Sequence, residues 1–240
     1  MKMDFKNKVV LVTGASRGIG AGLALAFAEA EAKVIINYLK SEKEAEQLAK
    51  KIKDLGTDFF LVKADVSQRK EVEKMANLVL KKFSRIDFLI NNAGIITQNS
   101  NWEEITEKDW QKTLLVNLKG VFECSREIGK VMLKQKYGKI VNISSLRGTF
   151  GAPEAIAYAA SKAGVENLTK SFAKALLPFV NVNCLALGRI NLGMGYLLKE
   201  KKDKRIGKIK DVINRIFFLV SDESKYITGQ TLFLDGKGGL

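Results

Sequence analysis

Short apolar runs alternate with amphipathic segments along the whole chain. The runs are rich in Val, Ile and Leu, and the segments between them place apolar side chains at helical spacing. The pattern predicts strands at 9–12, 33–38, 59–63, 86–90, 139–143, 180–185 and 231–234, and helices at 18–32, 42–55, 69–83, 106–136, 156–177 and 209–220.

These strands are continuously apolar, which is typical of a sheet that helices cover on both faces. Right-handed crossovers then predict an α/β fold, a Rossmann-type doubly wound parallel sheet of about seven strands, in a single domain over residues 1–240. A ligand is expected at the carboxyl ends of the strands, where strand order reverses between the first and the fourth. Polar clusters follow the predicted strands there: Gly14–Gly20, Asp65, Asn91–Gly94, Ser144–Ser145 and Gly188.

A glycine-rich turn, Thr13–Gly20, joins the first strand to the first helix. Gly14, Gly18 and Gly20 allow the backbone to turn tightly beside a diphosphate, and the helix start directs free N–H groups at that anion. The spacing is G-x3-G-x-G and differs from the commonest dinucleotide fingerprint. The turn predicts a nucleotide site.

Tyr158 and Lys162 stand four residues apart in a predicted helix and therefore share one face. A neighbouring ammonium favours phenolate, so we expect Lys162 to lower the pKa of Tyr158 and make it a usable proton donor. Ser145 can hydrogen-bond a substrate carbonyl oxygen. Tyr-x3-Lys alone also fits a surface pair, but its coupling to the serine and the glycine turn favours catalysis.

Composition limits the size of the core, the chemistry available to the site and the expected location of the protein. The chain has 240 residues, 46% of them hydrophobic, which is enough for one compact core. It has no histidine, so acid–base chemistry must rest on Tyr, Lys, Asp or Glu. Cys124 and Cys184 lack metal or redox spacing, and we expect buried thiols and no metal site. No membrane span or signal peptide is expected, and the predicted location is the cytoplasm.

The net charge of +14 is compatible with an acidic partner: a nucleotide phosphate, an acyl carrier protein or nucleic acid. Lysines are scattered among glutamates on predicted helices, which favours a solvated lysine-rich surface and makes nucleic acid the less favoured partner. One dense basic run, Lys199–Arg205, is predicted to be an exposed loop.

Several motifs occur in a fixed order: T-G-x3-G-I-G, Asp65-Val66, N-N-A-G at 91–94, Asn117, then Ser145, Tyr158 and Lys162. In this order they resemble the short-chain dehydrogenase/reductase family. The resemblance extends over essentially the whole chain, and within the family it is strongest to the 3-oxoacyl-[acyl-carrier-protein] reductases. It implies an NADP-dependent oxidoreductase that reduces a 3-oxoacyl thioester.

The resemblance also implies roles for individual residues. Tyr158 would be the catalytic acid/base, Ser145 would position the carbonyl, Lys162 would hold the nicotinamide ribose, and Asn117 would support a proton relay through water. Asp65 and Val66 would meet the adenine. The expected cofactor-binding set is Gly14, Ser16, Arg17, Gly18, Ile19, Gly20, Asn37, Tyr38, Asp65, Val66, Asn92, Ala93, Gly94, Tyr158, Lys162, Gly188 and Ile190.

The charge pattern favours NADPH over NADH. NAD sites place a carboxylate on the adenosine ribose about 20 residues after the glycine turn. Here the second strand ends in Asn37 and Tyr38, followed by Leu39 and Lys40, with no carboxylate to repel a 2′-phosphate. Arg17 can pair with that phosphate, although a solvated loop arginine is the alternative.

The chain departs from the family pattern around its substrate loop, 188–207. Leu187 stands where the family has proline, Leu192 replaces an expected threonine, and the loop is several residues shorter. Two arginines that dock the carrier near the site mouth in relatives correspond to Lys136 and Phe179. A sugar, polyol or small ketone therefore stays open as substrate.

Two further hypotheses concern class and assembly. A catalytically silent nucleotide- or nucleic-acid-binding protein is the alternative from another class, and the complete set of four catalytic residues argues against it.

The final strand, 231–234, would be an exposed sheet edge in a monomer. That edge, together with the apolar residues on helix 156–177, predicts a homotetramer, with a dimer as the smaller alternative; those residues are Ile156, Val165, Leu168, Phe172 and Leu176.

Overall fold

The structure is a computed structural model that describes residues 5–96, 102–192 and 206–236. Its strands are β1 Val9–Val12, β2 Lys33–Tyr38, β3 Phe59–Lys63, β4 Phe88–Asn91, β5 Gly138–Ser145, β6 Val180–Leu187, β7 Ile190–Asn191, β8 Gly207–Lys208 and β9 Thr231–Leu234. Its helices are α1 Gly18–Glu29, α2 Glu42–Asp54, α3 Arg69–Phe83, α4 Glu107–Leu114, α5 Gly120–Gln135, α6 Leu146–Phe150, α7 Ile156–Ala175 and α8 Ile209–Val220. In these ranges, no helix combines the length and the apolar character needed to cross a membrane.

Seven parallel strands form the main sheet in the order β3-β2-β1-β4-β5-β6-β9. Strand β1 pairs with β2 on one side and with β4 on the other, so that Val10 lies opposite both Val34 and Phe88. The strand order therefore reverses at β1, as the sequence predicts. The carboxyl ends of β1 and β4 open the crevice that a doubly wound sheet offers to a ligand.

Helices cover both faces of the sheet because successive strand residues point to opposite sides. Val10 and Val12 pack with α1, α2 and α8, whereas Val9 and Leu11 pack with α3 and α5. The prediction of a sheet covered on both sides is confirmed. Cys124 and Cys184 are buried, and burial raises the pKa of each thiol to about 12.

The structure differs from the predicted elements in a few places. The helix expected over 106–136 is interrupted at Leu115–Lys119 by one turn of π-helix. A short helix, α6, follows β5 directly, and the two-residue strands β7 and β8 pair beside the main sheet. None of these has a periodic signal long enough to detect in the sequence. The basic run 199–205 lies outside the described residues, as does most of the loop at 188–207.

Candidate active site

The glycine turn has the backbone that its sequence requires. Gly14 and Gly18 have φ values of +60° and +57°, a backbone conformation that residues with side chains rarely adopt. A Cβ on Gly14 would lie 2.9 Å from Cα of Ala93, so the turn and the loop after β4 touch backbone to backbone. Helix α1 begins at Gly18 and directs its amino terminus toward this turn. The result is a tight cradle with room for an anion at the helix start.

The loop after β4 holds the glycine turn in place. The side-chain amide of Asn92 donates to the carbonyl oxygens of Thr13 at 2.9 Å and Gly14 at 3.1 Å. The Thr13 hydroxyl oxygen accepts from the backbone N–H groups of Asn92 and Ala93, both at 3.0 Å. A Cβ on Gly20 would lie 2.6 Å from the Asn92 amide nitrogen. The same Cβ would lie even closer to the Gly14 carbonyl oxygen, so the third glycine is required by packing against both Gly14 and Asn92.

Asn37, at the end of β2, supports the same turn from the other side. It is buried, its side-chain oxygen Oδ1 accepts from the N–H of Gly14 at 3.2 Å, and its side-chain amide donates to the carbonyl of Ala64 at 3.0 Å. The Tyr38 hydroxyl donates to Glu42 at 2.9 Å, and Lys63 lies 3.5 Å from the same carboxylate. Glu42 was not among the residues expected at the cofactor site, because it belongs to the helix that follows β2.

Asp65 and Val66 lie at the carboxyl end of β3, as expected. The Asp65 carboxylate is half-buried and accepts from the N–H of Ser67 at 2.9 Å. Val66 is buried and packs so closely on Gly120 that a Cβ there would lie 2.8 Å from the valine. Both residues border the crevice, beside the start of α5.

The π-turn places Asn117 inside the protein, where it links two segments of the crevice. Its side-chain oxygen Oδ1 accepts from the N–H of Ile95 at 2.8 Å, and its side-chain amide donates to the Ile95 carbonyl at 2.8 Å. The amide also donates to the Ser161 hydroxyl at 3.1 Å, and Ser161 donates to the Tyr158 carbonyl at 2.7 Å. π-turns are frequent at functional sites, and this one aligns Asn117 with α7.

Lys162 lies at the floor of the crevice. Its ammonium donates to the Ile143 carbonyl at 2.8 Å and lies 5.7 Å from the ring centre of Tyr158. A Cβ on Gly94 would be 3.7 Å from the same ammonium, so the N-N-A-G loop passes directly above it. Complete burial lowers the pKa of Lys162 to about 8.

The pKa of Tyr158 departs from our expectation. It is raised because burial of the phenol outweighs a hydrogen bond with the Ser145 side chain and the positive charge of Arg147, which both act to lower it. Lys162 does not supply the predicted lowering, since its ammonium is itself desolvated and points at Ile143. The prediction about the pKa direction is wrong, whereas the proximity of Tyr158 and Ser145 is present in the structure.

Gly188 and Ile190 lie after β6, at the same edge of the sheet. A Cβ on Gly188 would be 2.8 Å from the Asp235 carboxylate, which explains glycine at this point. Ile190 pairs with Gly207 and packs on the core. Leu192 is exposed, and the chain beyond it, up to 205, lies outside the described residues.

The two positions that correspond to carrier-docking arginines of relatives lie far from Ser145. Lys136 stands between α5 and the start of β5, and Phe179 directly precedes β6. Because the strands are parallel, both positions fall at the amino-terminal edge of the sheet, whereas Ser145 ends β5 at the opposite edge. Neither position therefore lies beside Ser145 of the same chain.

Comparisons with known proteins agree with this site. The family model for short chain dehydrogenase matches residues 8–203. A 3-oxoacyl-[acyl-carrier-protein] reductase FabG of Staphylococcus epidermidis is 40% identical over 96% of this chain and 98% of its own length. A 3-oxoacyl-[acyl-carrier-protein] reductase of Synechocystis is 42% identical over 95% of this chain and 96% of its own length. The crystal structure of gox2181 has a TM-score of 0.91 at 31% identity, covering 98% of this chain and 96% of that one.

The chain belongs to the short-chain dehydrogenase family. It is an oxidoreductase of the kind that interconverts carbonyl and hydroxyl groups. The family implies a nicotinamide cofactor, and the residues fit one: the Gly14 and Gly20 positions have no room for side chains, and the crevice they open leads past Gly94 to Lys162.

Proposed function

We propose that this chain reduces a 3-oxoacyl thioester to the 3-hydroxyacyl thioester, with NADPH as the reductant. The observation that carries the proposal is the hydrogen-bonded pair of Ser145 and Tyr158 beside the buried Lys162, at the end of the crevice that begins at the glycine turn. The curated relatives named above carry that activity in their names, over nearly the full length of this chain.

In the proposed reaction, Tyr158 donates its proton to the carbonyl oxygen of the substrate. Burial raises the pKa of its phenol and makes it a weaker acid, so the proton is transferred as negative charge develops on that oxygen. The Ser145 hydroxyl hydrogen-bonds the same oxygen and stabilises the charge that develops there. The nicotinamide, when bound, supplies a hydride to the carbonyl carbon.

Lys162 and Asn117 support that proton transfer. With a pKa of about 8, Lys162 can return a proton toward Tyr158 more readily than an ordinary lysine can. Its ammonium is the group that would hold the nicotinamide ribose. Asn117 keeps the Ile95 backbone and Ser161 in place, and we assign it the task of ordering water beside Lys162.

Three features support NADPH as the reductant. Arg17 directly precedes α1 and is exposed at the glycine turn, where it can meet a 2′-phosphate. Tyr38 at the end of β2 carries no charge. The nearby carboxylate of Glu42 is engaged by the Tyr38 hydroxyl and faces Lys63, which reduces its repulsion of a phosphate.

An acyl carrier protein is the proposed source of the thioester. The net charge of +14 suits an acidic carrier. Since Lys136 and Phe179 stand at the far edge of the sheet, carrier contacts with this chain's own site would come from other residues at the carboxyl edge, where Arg147 and Arg189 lie.

We further propose that the chain forms a homotetramer, with a dimer as the smaller assembly. Strand β9 ends the sheet, and its Phe233 is 53% exposed beside the ring of Phe150. A groove of about 440 Å³ between α4, α5 and α7 is lined mainly by apolar side chains: Leu114, Leu115, Leu118, Phe122 and Leu168. Val165 and Leu176, expected on this surface, are instead buried within the chain.

Tyr158→Phe tests the assigned proton donor. The variant loses only the hydroxyl, and we expect the rate of carbonyl reduction to fall roughly 10²- to 10⁴-fold while NADPH affinity stays nearly unchanged. Tyr226→Phe is the matched control, because Tyr226 is 99% exposed. Near-parental turnover of Tyr158→Phe would show that the donor is another group.

A further inference from the structure

Glu166 makes an unusual set of contacts for a residue outside the expected catalytic set. It is half-buried on α7, one turn after Lys162. One of its carboxylate oxygens accepts from the hydroxyl of Ser144 at 3.0 Å and from that of Thr149 at 3.0 Å. The other oxygen accepts from Thr149 at 3.2 Å. Hydrogen bonds to an ionised carboxylate are stronger than neutral ones.

The two hydroxyl donors flank Ser145. Ser144 precedes it on β5, and Thr149 lies near the end of α6, the short helix that Ser145 caps by accepting from the N–H of Arg147 at 3.3 Å. The Glu166 carboxylate on α7 therefore binds residues on both sides of Ser145, at the end of β5 and near the end of α6.

Helix α7 also carries the other half of the catalytic pair. Tyr158, Lys162 and Glu166 are spaced by four residues and share one face. Helix α6 packs directly on this helix, since a Cβ on Gly148 would lie 2.8 Å from the backbone of Lys162 and Ala163. This close contact holds α6 against α7 at Gly148, and the Glu166 carboxylate adds hydrogen bonds to Ser144 and Thr149 on either side of it.

A second charged contact joins α6 to the turn that precedes α7, and it is weaker. Arg147 and Glu154 form an ion pair at 3.0 Å with side chains 34% and 51% exposed. Exposed pairs of this kind contribute little stability in water. Glu166 is thus the less exposed of these two charged contacts, and it acts beside the hydrogen bonds from Ser144 to the Lys162 carbonyl and from Lys162 to the Ile143 carbonyl.

We propose that Glu166 is a positioning residue for carbonyl reduction: its carboxylate sets the placement of Ser145 relative to Tyr158. This inference rests on the function proposed above. Misplacement of reacting groups by about 1 Å can cost on the order of 100-fold in rate. Loss of Glu166 leaves Ser144 with an acceptor, because its hydroxyl also lies 3.1 Å from the Lys162 carbonyl. The effect on stability is therefore small compared with the effect on turnover.

Glu166→Leu and Glu166→Gln test this assignment by steady-state rates with NADPH and an acetoacetyl thioester. We expect kcat of Glu166→Leu to fall about 10- to 100-fold, with NADPH affinity and the urea midpoint of unfolding close to the parent. Glu166→Gln keeps one acceptor oxygen and should recover much of the loss. Glu44→Leu, the same change at an exposed position on α2, is the matched control.

Thr149→Val supplies a second, independent variant, which removes the donor instead of the acceptor. We expect a smaller fall in kcat, and the double variant Thr149→Val/Glu166→Leu should be no slower than Glu166→Leu alone. Additive losses, or parental kcat in Glu166→Leu, would overturn the positioning role while the proposed function stands. A parent chain that reduces no thioester overturns both.

Discussion

Replacing Lys162 by methionine should change how the stability of the protein depends on pH. Burial lowers the pKa of this lysine from its ordinary 10.5 to about 8. Between these two values the unfolded chain holds a proton on Lys162 that the folded chain has released. Stability rises with pH wherever the unfolded state binds more protons, so the native protein gains stability above pH 8 and the methionine variant lacks this gain.

The magnitude follows from the pKa shift. One pKa unit corresponds to about 1.36 kcal/mol, so the full difference is about 3 kcal/mol. Between about pH 7 and about pH 9.5, the free energy of unfolding of the parent should rise by about 2 kcal/mol relative to Lys162→Met. At neutral pH the variant is relieved of a buried charge, although it also leaves the Ile143 carbonyl without its donor.

Urea unfolding of both proteins without cofactor, in steps across that pH range, measures this difference. Tyr158 and the cysteines also titrate at alkaline pH, but they are present in both proteins and their effects largely cancel. A difference in unfolding free energy that stays constant with pH would refute the claim that Lys162 is held in a desolvated crevice. Lys170→Met, at an exposed position of the same helix, should show no such dependence.

Two further predictions concern the cofactor and the assembly. Arg17→Ala should weaken NADPH roughly 10- to 100-fold and NADH much less, because only NADPH has a 2′-phosphate; equal weakening of both, measured by fluorescence titration, would remove Arg17 as the phosphate partner. Light scattering at micromolar concentration should give about four times the 26.6 kDa chain mass. Phe233→Glu at the β9 edge should shift the population to smaller species. A stable monomer of the parent chain would contradict the proposed assembly.

The fold was predictable because the sheet strands are short segments rich in Val, Ile and Leu, although β6 alternates with Asn181 and Asn183. Strands β2, β3 and β9, and helices α3 and α8, begin and end at the predicted residues. The interruption at Leu115–Lys119 was not predictable, since a π-turn leaves the apolar periodicity on either side nearly unchanged. Helix α6 was missed because five residues are too few for a periodic signal.

The residues of the site could be predicted from the sequence, but the direction of the Tyr158 pKa shift could not. Spacing alone brings Tyr158 and Lys162 to one face, yet the balance of burial and charge depends on how deeply each side chain lies and where its hydrogen bonds go. The sequence contains no signal that Lys162 points at Ile143, that Glu42 meets Tyr38, or that Glu166 reaches back to Ser144. The contacts of Lys162 and Glu166 join segments that only the fold brings together, whereas the contact of Glu42 with Tyr38 depends on how the chain turns between β2 and α2.

The central claim is reduction of a 3-oxoacyl thioester by NADPH. Initial rates of NADPH oxidation with acetoacetyl-coenzyme A, simple ketones and sugars test it most directly, with NADH in parallel. The account predicts the highest kcat/KM for the thioester with NADPH, and its loss in Tyr158→Phe. A higher kcat/KM for a sugar or a simple ketone, or no oxidation of NADPH with any of these carbonyls, would contradict it.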